Sequence, residues 1–444
     1  MMSLPQEIID SIVDEIPRIE PYSDLKNCAL VAKAFRHRAQ HNFFPDSFHS
    51  ITIPIRAQSP DLSSQLKRCK DFYELIEANP SIATFVRRIT YKDIDVFDAI
   101  EAGEGHRMKA LDDTAHLVDH TLPLVLDRLV NLETLILDGF DLSRVSTKFA
   151  TALLKRPVTH LMLNNIYIRH LKNLLILIRS SPALRSFFLG NITLVDYEWQ
   201  RLNWPYETER FTPDYDELVS SHVPHSAAEV ETVAFELCKA SDLLCMEALR
   251  NPGSPISLDR IENLEVYSTP EFENIPDSVN NAFLEISTWL LSLRPHLPKC
   301  SLPCLIPRDN ENQPNTEGPA FPIKHVESLH VVFNLNSTDD VATSLEWWSH
   351  NFETACGQDC LIQEIVLVFS VTDPRWDISK IDFLVANWRY LDGLFAGEHL
   401  GNNDYMPLLQ KVSVLFCPER AFKRSQWAGF YTRMQGLLQR IDWS

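Results

Sequence analysis

The chain has 444 residues and a formal net charge of −19, and 45% of its residues are hydrophobic. That hydrophobic content can fill a large core and excludes general disorder, while the length allows several domains of roughly 100–200 residues or one long repeat array. The acidic charge argues against nucleic acid as the main ligand, because phosphate binding needs a basic surface. With 12 glycines and neither GxGxxG nor GxxxxGK[ST] in the sequence, a nucleotide-binding loop is not expected.

We expect neither a signal peptide nor a membrane-spanning helix in this sequence. The opening MMSLPQEIIDSIVDEI has no basic segment followed by an apolar run, and no apolar stretch reaches the length of about 18 residues that a spanning helix needs. Nine scattered cysteines then predict reduced, mostly buried thiols. We therefore expect a protein of the cytoplasm or the nucleus that has no membrane partner.

Residues 1–49 predict a short helical module. Ser3 can cap a helix that opens at Leu4-Pro5 and carries isoleucines at helical spacing. After two prolines, a second helix is expected from Leu25 to about Asn42. Its apolar residues cover more than one face, which two short helices cannot bury between themselves. The surplus must face another part of the chain or a partner.

A repeat begins after this module and is clearest in three segments, 132–142, 158–168 and 184–194. Each segment is apolar at its positions 1, 4, 6, 9 and 11, and Leu137, Leu163 and Leu189 follow one another at intervals of 26 residues. This is the leucine-rich-repeat pattern, at a period within its usual range.

The first, fourth and sixth positions of this pattern recur less regularly along the chain. They fall at Val86/Ile89/Tyr91, Val230/Val233/Phe235, Ile261/Leu264/Val266, Val326/Leu329/Val331, Ile362/Ile365/Leu367 and Leu409/Val412/Val414. Helices are expected between the strands, at 66–78, 114–130, 143–156, 170–180, 239–250, 278–294, 338–355, 378–395 and 419–440. We predict an α/β fold in which residues 50–444 form an irregular solenoid of parallel strands and outer helices. An ordinary α/β domain is the alternative.

Two segments are predicted to be insertions in this array. Residues 191–229 hold eight acidic side chains against two arginines, together with aromatic residues that include Trp199, Trp204, Tyr206, Phe211 and Tyr215. Such a segment is a candidate lid or partner contact, and a substrate that docks there should be basic. Residues 298–322 are rich in Pro and Asn, which predicts a mobile loop.

Signals of chemistry are weak. His37/His41 and His116/His120 have helical i, i+4 spacing but lack the glutamate of HExxH, and a polar helix face explains them better than a metal site. Cys300/Cys304 and Cys356/Cys360 are spaced more widely than ordinary zinc ligands, so buried thiols are the preferred interpretation. GxSxG does not occur. We expect neither a metal, nor a cofactor, nor a catalytic residue.

Two further sets of residues are candidates for contacts. Trp347 and Trp348 lie on a predicted helix and are expected to pack inside, although an exposed tryptophan would indicate an interaction site. Because the strand-lined face of a solenoid usually binds its partner, residues that flank the strand leucines are candidate contacts with a protein substrate. They are Thr134, Ile136, Asp138, His160, Met162, Asn164, Ser186 and Phe188.

The N-terminal pattern LPQEIIDSIVDEI…DLKNCALVAKAFRHRA resembles the F-box motif of fungal proteins that combine it with leucine-rich-like repeats. The match spans residues 3–49 and has Phe35 where many F-boxes have Trp. The resemblance implies docking on the SKP-type adaptor, and through it on cullin, in an SCF (SKP–cullin–F-box) ubiquitin ligase. The implied adaptor contacts are Leu4, Pro5, Ile8, Ile9, Ile12, Leu25, Leu30, Val31 and Phe35.

The resemblance further implies a non-catalytic subunit whose repeats hold a protein substrate near the ubiquitin-loading enzyme. Raising the local concentration of substrate in this way needs no active site in this chain. Two rival hypotheses stay open. One is an F-box protein or repeat scaffold that acts outside ubiquitination. The other is an enzyme that uses the long insertions as a lid, which would require a pocket holding a histidine, a carboxylate and a nucleophile.

Overall fold

A computed structural model describes the following residues of the chain: 50–55, 63–93, 120–140, 142, 147–168, 171–194, 227–237, 240–250, 254–268, 277–303, 320–334, 338–371, 385–395 and 406–418. Within these residues the fold is α/β, with eleven strands in a parallel sheet and nine α-helices. The α/β class predicted from the sequence is therefore confirmed. The 1–49 module lies outside the described residues.

The strands, in chain order, are β1 (Ser50–Ile55), β2 (Arg88–Asp93), β3 (Thr134–Asp138), β4 (His160–Asn164), β5 (Tyr167–Ile168), β6 (Ser186–Gly190), β7 (Thr193–Leu194), β8 (Ala228–Glu229), β9 (Thr232–Leu237), β10 (Ile256–Ser257), β11 (Asn263–Ser268), β12 (Leu297–Pro303), β13 (Val326–Asn334), β14 (Glu364–Val371) and β15 (Lys411–Pro418). The helices are α1 (Ser63–Ala78), α2 (Pro80–Phe85), α3 (Leu122–Arg128), α4 (Thr147–Leu154), α5 (Leu171–Arg179), α6 (Ala240–Arg250), α7 (Asp277–Ser292), α8 (Thr338–Ala355) and α9 (Val385–Phe395).

The described elements belong to two compact units. The first unit contains β1 to β4 and α1 to α5, and its long strands are ordered β1-β2-β3-β4. The second contains β6, β9, β11 to β15 and α6 to α9, with the strands ordered β6-β9-β11-β12-β13-β14-β15. In each unit the described long strands follow one another across the sheet in chain order. A doubly wound sheet reverses its strand order, and neither unit does so.

The register of the sheet aligns the predicted apolar positions. In the first unit Ile89, Leu135 and Leu161 are neighbours, and so are Tyr91, Leu137 and Leu163. In the second unit the fourth positions form one row from Phe187 to Val412. Most of these side chains are fully buried, and each contributes about 1.5–3 kcal/mol by leaving water. The apolar positions that repeat in the sequence are therefore the positions that form the hydrophobic core.

The turn after the strand repeats as well. Gly139, Asn165 and Asn191 occupy the eighth position of three successive segments, and their φ angles are 80°, 55° and 48°. Glycine and asparagine are the residues that adopt this left-handed conformation most readily. In the first unit, Tyr167 N–H donates to the Phe140 carbonyl at 2.8 Å, and Leu142 N–H donates to the Tyr167 carbonyl at 2.7 Å. These bonds link equivalent turns of neighbouring segments.

The structure corrects the predicted insertion at 298–322. Its first six residues, 298–303, belong to β12, where Cys300 and Leu302 are fully buried in the fourth and sixth positions. Its last residues also pack, because Phe321 is buried against the tryptophans of α8. The short helix α2 and the first strand β1 were not predicted. Of the acidic segment 191–229, the described ends contribute β7 and β8, and residues 195–226 lie outside the described part.

Candidate functional site

The face of the sheet opposite the core is formed by the third, fifth and seventh positions of each segment, because successive side chains of a strand point to opposite faces. The eight sequence-predicted substrate contacts all lie at such positions. On the first unit they form pairs across β3 and β4: Thr134 with His160, Ile136 with Met162, and Asp138 with Asn164. Ser186 and Phe188 lie on β6 of the second unit.

These eight residues differ in how much surface they offer to a partner. His160 is exposed, and Thr134, Met162, Asn164, Ser186 and Phe188 are half-buried. Ile136 and Asp138, in contrast, are only 7% and 8% exposed. One carboxylate oxygen of Asp138 also accepts a hydrogen bond from Asn165 Nδ2 at 2.6 Å. Ile136 and Asp138 are therefore structural residues of this face, and the other six remain candidate contacts.

A richer group of polar residues lies on the same face in the second unit. We define the polar patch as Glu265, Lys299, Ser328, His330, Glu364 and Lys411. Strand register places these residues together: Lys299 neighbours Ser328, Ser328 neighbours Glu364, and Glu364 neighbours Lys411. The patch thus runs across five strands and pairs each carboxylate with a lysine: Lys299 Nζ lies 3.8 Å from Glu265, and Lys411 Nζ lies 3.0 Å from Glu364.

Glu265 is the acceptor at one end of the polar patch. Its carboxylate accepts hydrogen bonds from Asn263 Nδ2 at 2.8 Å and from the Tyr267 hydroxyl at 2.5 Å, and Lys299 Nζ lies 3.8 Å away. Burial disfavours the charged carboxylate, but the bonds from Tyr267 and Asn263 and the charge of Lys299 outweigh it and lower the pKa of Glu265. Burial and the bond to Glu265 raise the pKa of the Tyr267 hydroxyl. Glu265 is therefore ionised at neutral pH.

Glu364 is the acceptor at the other end. Lys411 Nζ and Ser328 Oγ each donate to its carboxylate at 3.0 Å. The bond from Lys411 is the main reason that the pKa of Glu364 is lowered. The glutamate is one-third exposed and the lysine half-exposed, so water and a partner both reach this pair.

His330 lies among the four charges of the polar patch. Partial burial and the charge of Lys299 lower its pKa, and the carboxylates of Glu364 and Glu265 oppose that shift. Its ring is therefore neutral at neutral pH, and a neutral imidazole offers a partner one donor and one acceptor. The polar patch thus presents hydrogen-bonding groups of both kinds beside charges of both signs.

The polar patch does not assemble a nucleophilic triad. His330 Nε2 and Ser328 Oγ are 3.5 Å apart, at the limit of a hydrogen bond, and the serine hydroxyl donates to Glu364 instead. In a triad the histidine accepts the serine proton and a carboxylate orients the histidine. Here the carboxylate binds the serine, and all three groups lie on an open sheet face. The arrangement suits recognition better than covalent catalysis.

The residues of the polar patch are not among the contacts predicted from the sequence, although they carry a signal. They are the third and fifth positions of the irregular segments, whereas the predicted contacts all belong to the three regular segments. The composition of residues 298–303 also predicts a loop, which leaves Lys299 out of the row of strands. Aligning Leu297, Cys300 and Leu302 with the other segments would have exposed the whole row.

The other sequence signals resolve as structural features. Trp347 and Trp348 are both fully buried, as expected, and pack edge-on to each other with ring centroids 5.4 Å apart. Cys300 and Cys360 are buried, as are Cys69 and Cys245, while Cys356 is half-buried; all five are free thiols. Burial raises the pKa of the Cys69 thiol to about 12. Within the described residues no group of three or more metal-ligating side chains comes together.

Several predicted residues lie outside the described part of the chain. They are the nine adaptor-contact candidates Leu4, Pro5, Ile8, Ile9, Ile12, Leu25, Leu30, Val31 and Phe35, together with His37, His41, His116 and Cys304. His120, the described member of its pair, is exposed.

Comparison with known proteins adds no relative to this picture: no protein-family model matches the chain, and no curated protein matches it significantly. Among the described helices, none has the length and apolar character needed to cross a membrane.

Proposed function

We propose that the protein is the substrate-recognition subunit of an SCF-type ubiquitin ligase. Residues 3–49 would dock on the SKP-type adaptor, and the strand array would hold a protein substrate. This proposal rests on one observation: an F-box-like N-terminal pattern is combined with a parallel array whose sheet face opposite the core is polar and accessible. Such a subunit would act in the cytoplasm or the nucleus.

The array is proposed to be a leucine-rich-like solenoid. Three features support this: chain order equals sheet order within each unit, the first, fourth and sixth positions recur in register, and the eighth position carries a left-handed residue in three successive segments. Each segment then buries its apolar positions only against its neighbours, as solenoid repeats do. The polar third and fifth positions are left for recognition.

The polar patch is the proposed substrate contact. Its charges are already neutralised within the chain, so a substrate must exchange bonds with Glu364 and Lys411 rather than meet an unpaired charge. Such a surface favours binding of a partner that carries complementary charges of both signs over a partner whose charges are all of one sign. Tyr267, 38% exposed at the edge of the patch, adds an aromatic side chain of the kind enriched in binding hot spots.

Adaptor binding is tested by copurification of the full chain with the SKP-type adaptor. We expect Ile9→Asp, and Leu4→Ala combined with Pro5→Ala, to abolish adaptor binding. A matched control, Leu408→Asp, changes a side chain that is 43% exposed in the second unit and should leave adaptor binding intact. Unchanged binding in both N-terminal variants refutes the F-box assignment.

Substrate binding is tested by quantitative affinity purification under proteasome and neddylation inhibitors. Lys299→Glu combined with Lys411→Glu should reduce the recovery of substrate while adaptor recovery stays constant, because it reverses the two positive charges of the polar patch. If partners are recovered through the patch without any adaptor, the chain is a repeat scaffold that acts outside ubiquitination. If the substrate set is unchanged by this double variant, the patch is not the substrate contact.

A further inference from the structure

A groove on the helical side of the first unit is separate from the polar patch. It lies between α3 and α4, encloses about 500 Å³ and is lined by His120, Pro123, Leu124, Asp127, Lys148, Thr151, Ala152 and Lys155. All of these residues belong to the first unit, so the groove is a feature of neighbouring repeats there. Volumes of this size are typical of sites that accommodate a ligand.

The floor and one wall of the groove are apolar. Pro123 and Ala152 are buried, whereas Leu124 projects from α3 with 49% of its surface exposed. A large apolar side chain that is half exposed beside a groove has surface left to bury against a partner. Burying it removes apolar surface from water, which strengthens binding in proportion to the area that the partner covers.

Among the described residues that line the groove, two lysines stand against the single carboxylate of Asp127, in a chain whose net charge is −19. Asp127 is shared by two cations, with Lys155 Nζ at 3.4 Å and Arg156 Nη2 at 3.8 Å. Arg156 does not line the groove, so the excess positive charge of the rim is that of Lys148, which is exposed and has no ion pair or hydrogen bond within the described residues. The ion pairs of Asp127 link α3 to the residues that follow α4, and neither Lys148 nor Leu124 takes part in them.

We propose that the α3–α4 groove binds an acidic amphipathic peptide segment of a partner protein. One apolar side chain of the peptide packs against Leu124 and Ala152, and its carboxylates lie beside Lys148 and Lys155. A groove between two helices is a common docking place for an amphipathic segment, which buries its apolar face there and leaves its polar face in water. This inference is independent of the SCF proposal, because it uses neither the N-terminal motif nor the polar patch.

The test uses the full chain and a short fluorescein-labelled peptide in which paired leucines are flanked by glutamates, followed by fluorescence anisotropy at low and physiological salt. We expect saturable binding that weakens as salt rises, since the rim charges are exposed and are screened. Lys148→Glu should weaken binding by about fivefold, in the range of exposed charge pairs. Leu124→Ser should weaken it by a similar factor.

Matched controls come from α1 of the same unit. Lys70→Glu reverses an exposed lysine, and Leu75→Ser truncates a leucine that is 38% exposed; both should bind the peptide as the wild type does. The proposal is overturned if the groove variants bind normally, if the controls lose as much affinity as the groove variants, or if a peptide with serines in place of its leucines binds equally well. Lys148→Gln, which cannot introduce a repulsive charge, provides a second groove variant should Lys148→Glu fold poorly.

Discussion

Truncating Phe321 tests whether the end of the segment predicted as a mobile insertion is part of the folded core. The ring is 3% exposed and packs against both tryptophans of α8, with centroid distances of 5.1 Å to Trp347 and 6.0 Å to Trp348. Phe→Ala changes at buried sites cost about 3–5 kcal/mol, and we expect Phe321→Ala to fall within this range. Phe321→Leu keeps most of the volume and should cost less than about 1.5 kcal/mol.

The backbone of the same residue gives a second, independent measure. Phe321 N–H donates to Asn351 Oδ1 at 2.7 Å, and Asn351 Nδ2 donates to the Trp347 carbonyl at 2.8 Å. Asn351 is fully buried, so Asn351→Ala leaves that N–H unpaired at a cost of about 1–3 kcal/mol. If Phe321 anchors the segment, the double variant should cost less than the sum of the single variants.

The assay is urea unfolding followed by far-UV circular dichroism, with tryptophan emission recorded in parallel because both indoles contact the deleted ring. Leu408→Ala, at a residue that is 43% exposed, is the control and should change stability by less than about 0.5 kcal/mol. The reasoning is refuted if Phe321→Ala is as mild as this control. That result would make residues 320–322 a loop resting on a core that is complete without them.

Two further predictions concern the turn and the polar patch. Gly139→Ala should lower stability by about 1–2 kcal/mol, because φ is 80° there, and Gly139→Asn should cost less; thermal unfolding of both variants compares them. The lowered pKa of Glu364 stabilises the fold above the ordinary glutamate pKa, and this contribution is lost as the pH falls below it. Lys411→Met should therefore lower the unfolding temperature at pH 7 by an amount that shrinks towards pH 3, with Lys411→Arg as the control. A gap that does not depend on pH would refute the pairing.

The sequence predicts the core of this fold well because the core has a period. A side chain at the fourth or sixth position is buried in almost every segment, so spacing alone predicts that Leu135, Leu161 and Leu329 are buried. The prediction failed at β12, where cysteine replaces the usual aliphatic residue and Pro298 and Pro303 give the strand the composition of a loop. Burial explains the exception: Cys300 is fully buried and behaves as a small apolar side chain.

The candidate contacts were less predictable, because the outward positions carry no period. Ile136 occupies the same type of position as Met162, yet one is buried and the other half-buried. A rule based on spacing alone does not distinguish these two positions. Predicting the polar patch requires the correct number of strands. If β12 is omitted, β11 and β13 are placed side by side, and Lys299 is no longer placed beside Glu265.

The two proposed surfaces differ in whether their charged side chains are already paired within the chain, and this difference allows experiments to distinguish them. In the polar patch, Lys411 donates to Glu364 and Lys299 lies beside Glu265 before any partner arrives. A substrate there replaces existing bonds, so its affinity should depend on matching geometry and only weakly on salt. Lys148 beside the α3–α4 groove has no such internal bond, so binding there gains a new ion pair and should weaken steeply as salt rises. A partner whose binding ignores salt but is lost with Lys299→Glu and Lys411→Glu therefore binds the patch. A partner with the opposite behaviour, lost with Lys148→Glu, binds the groove.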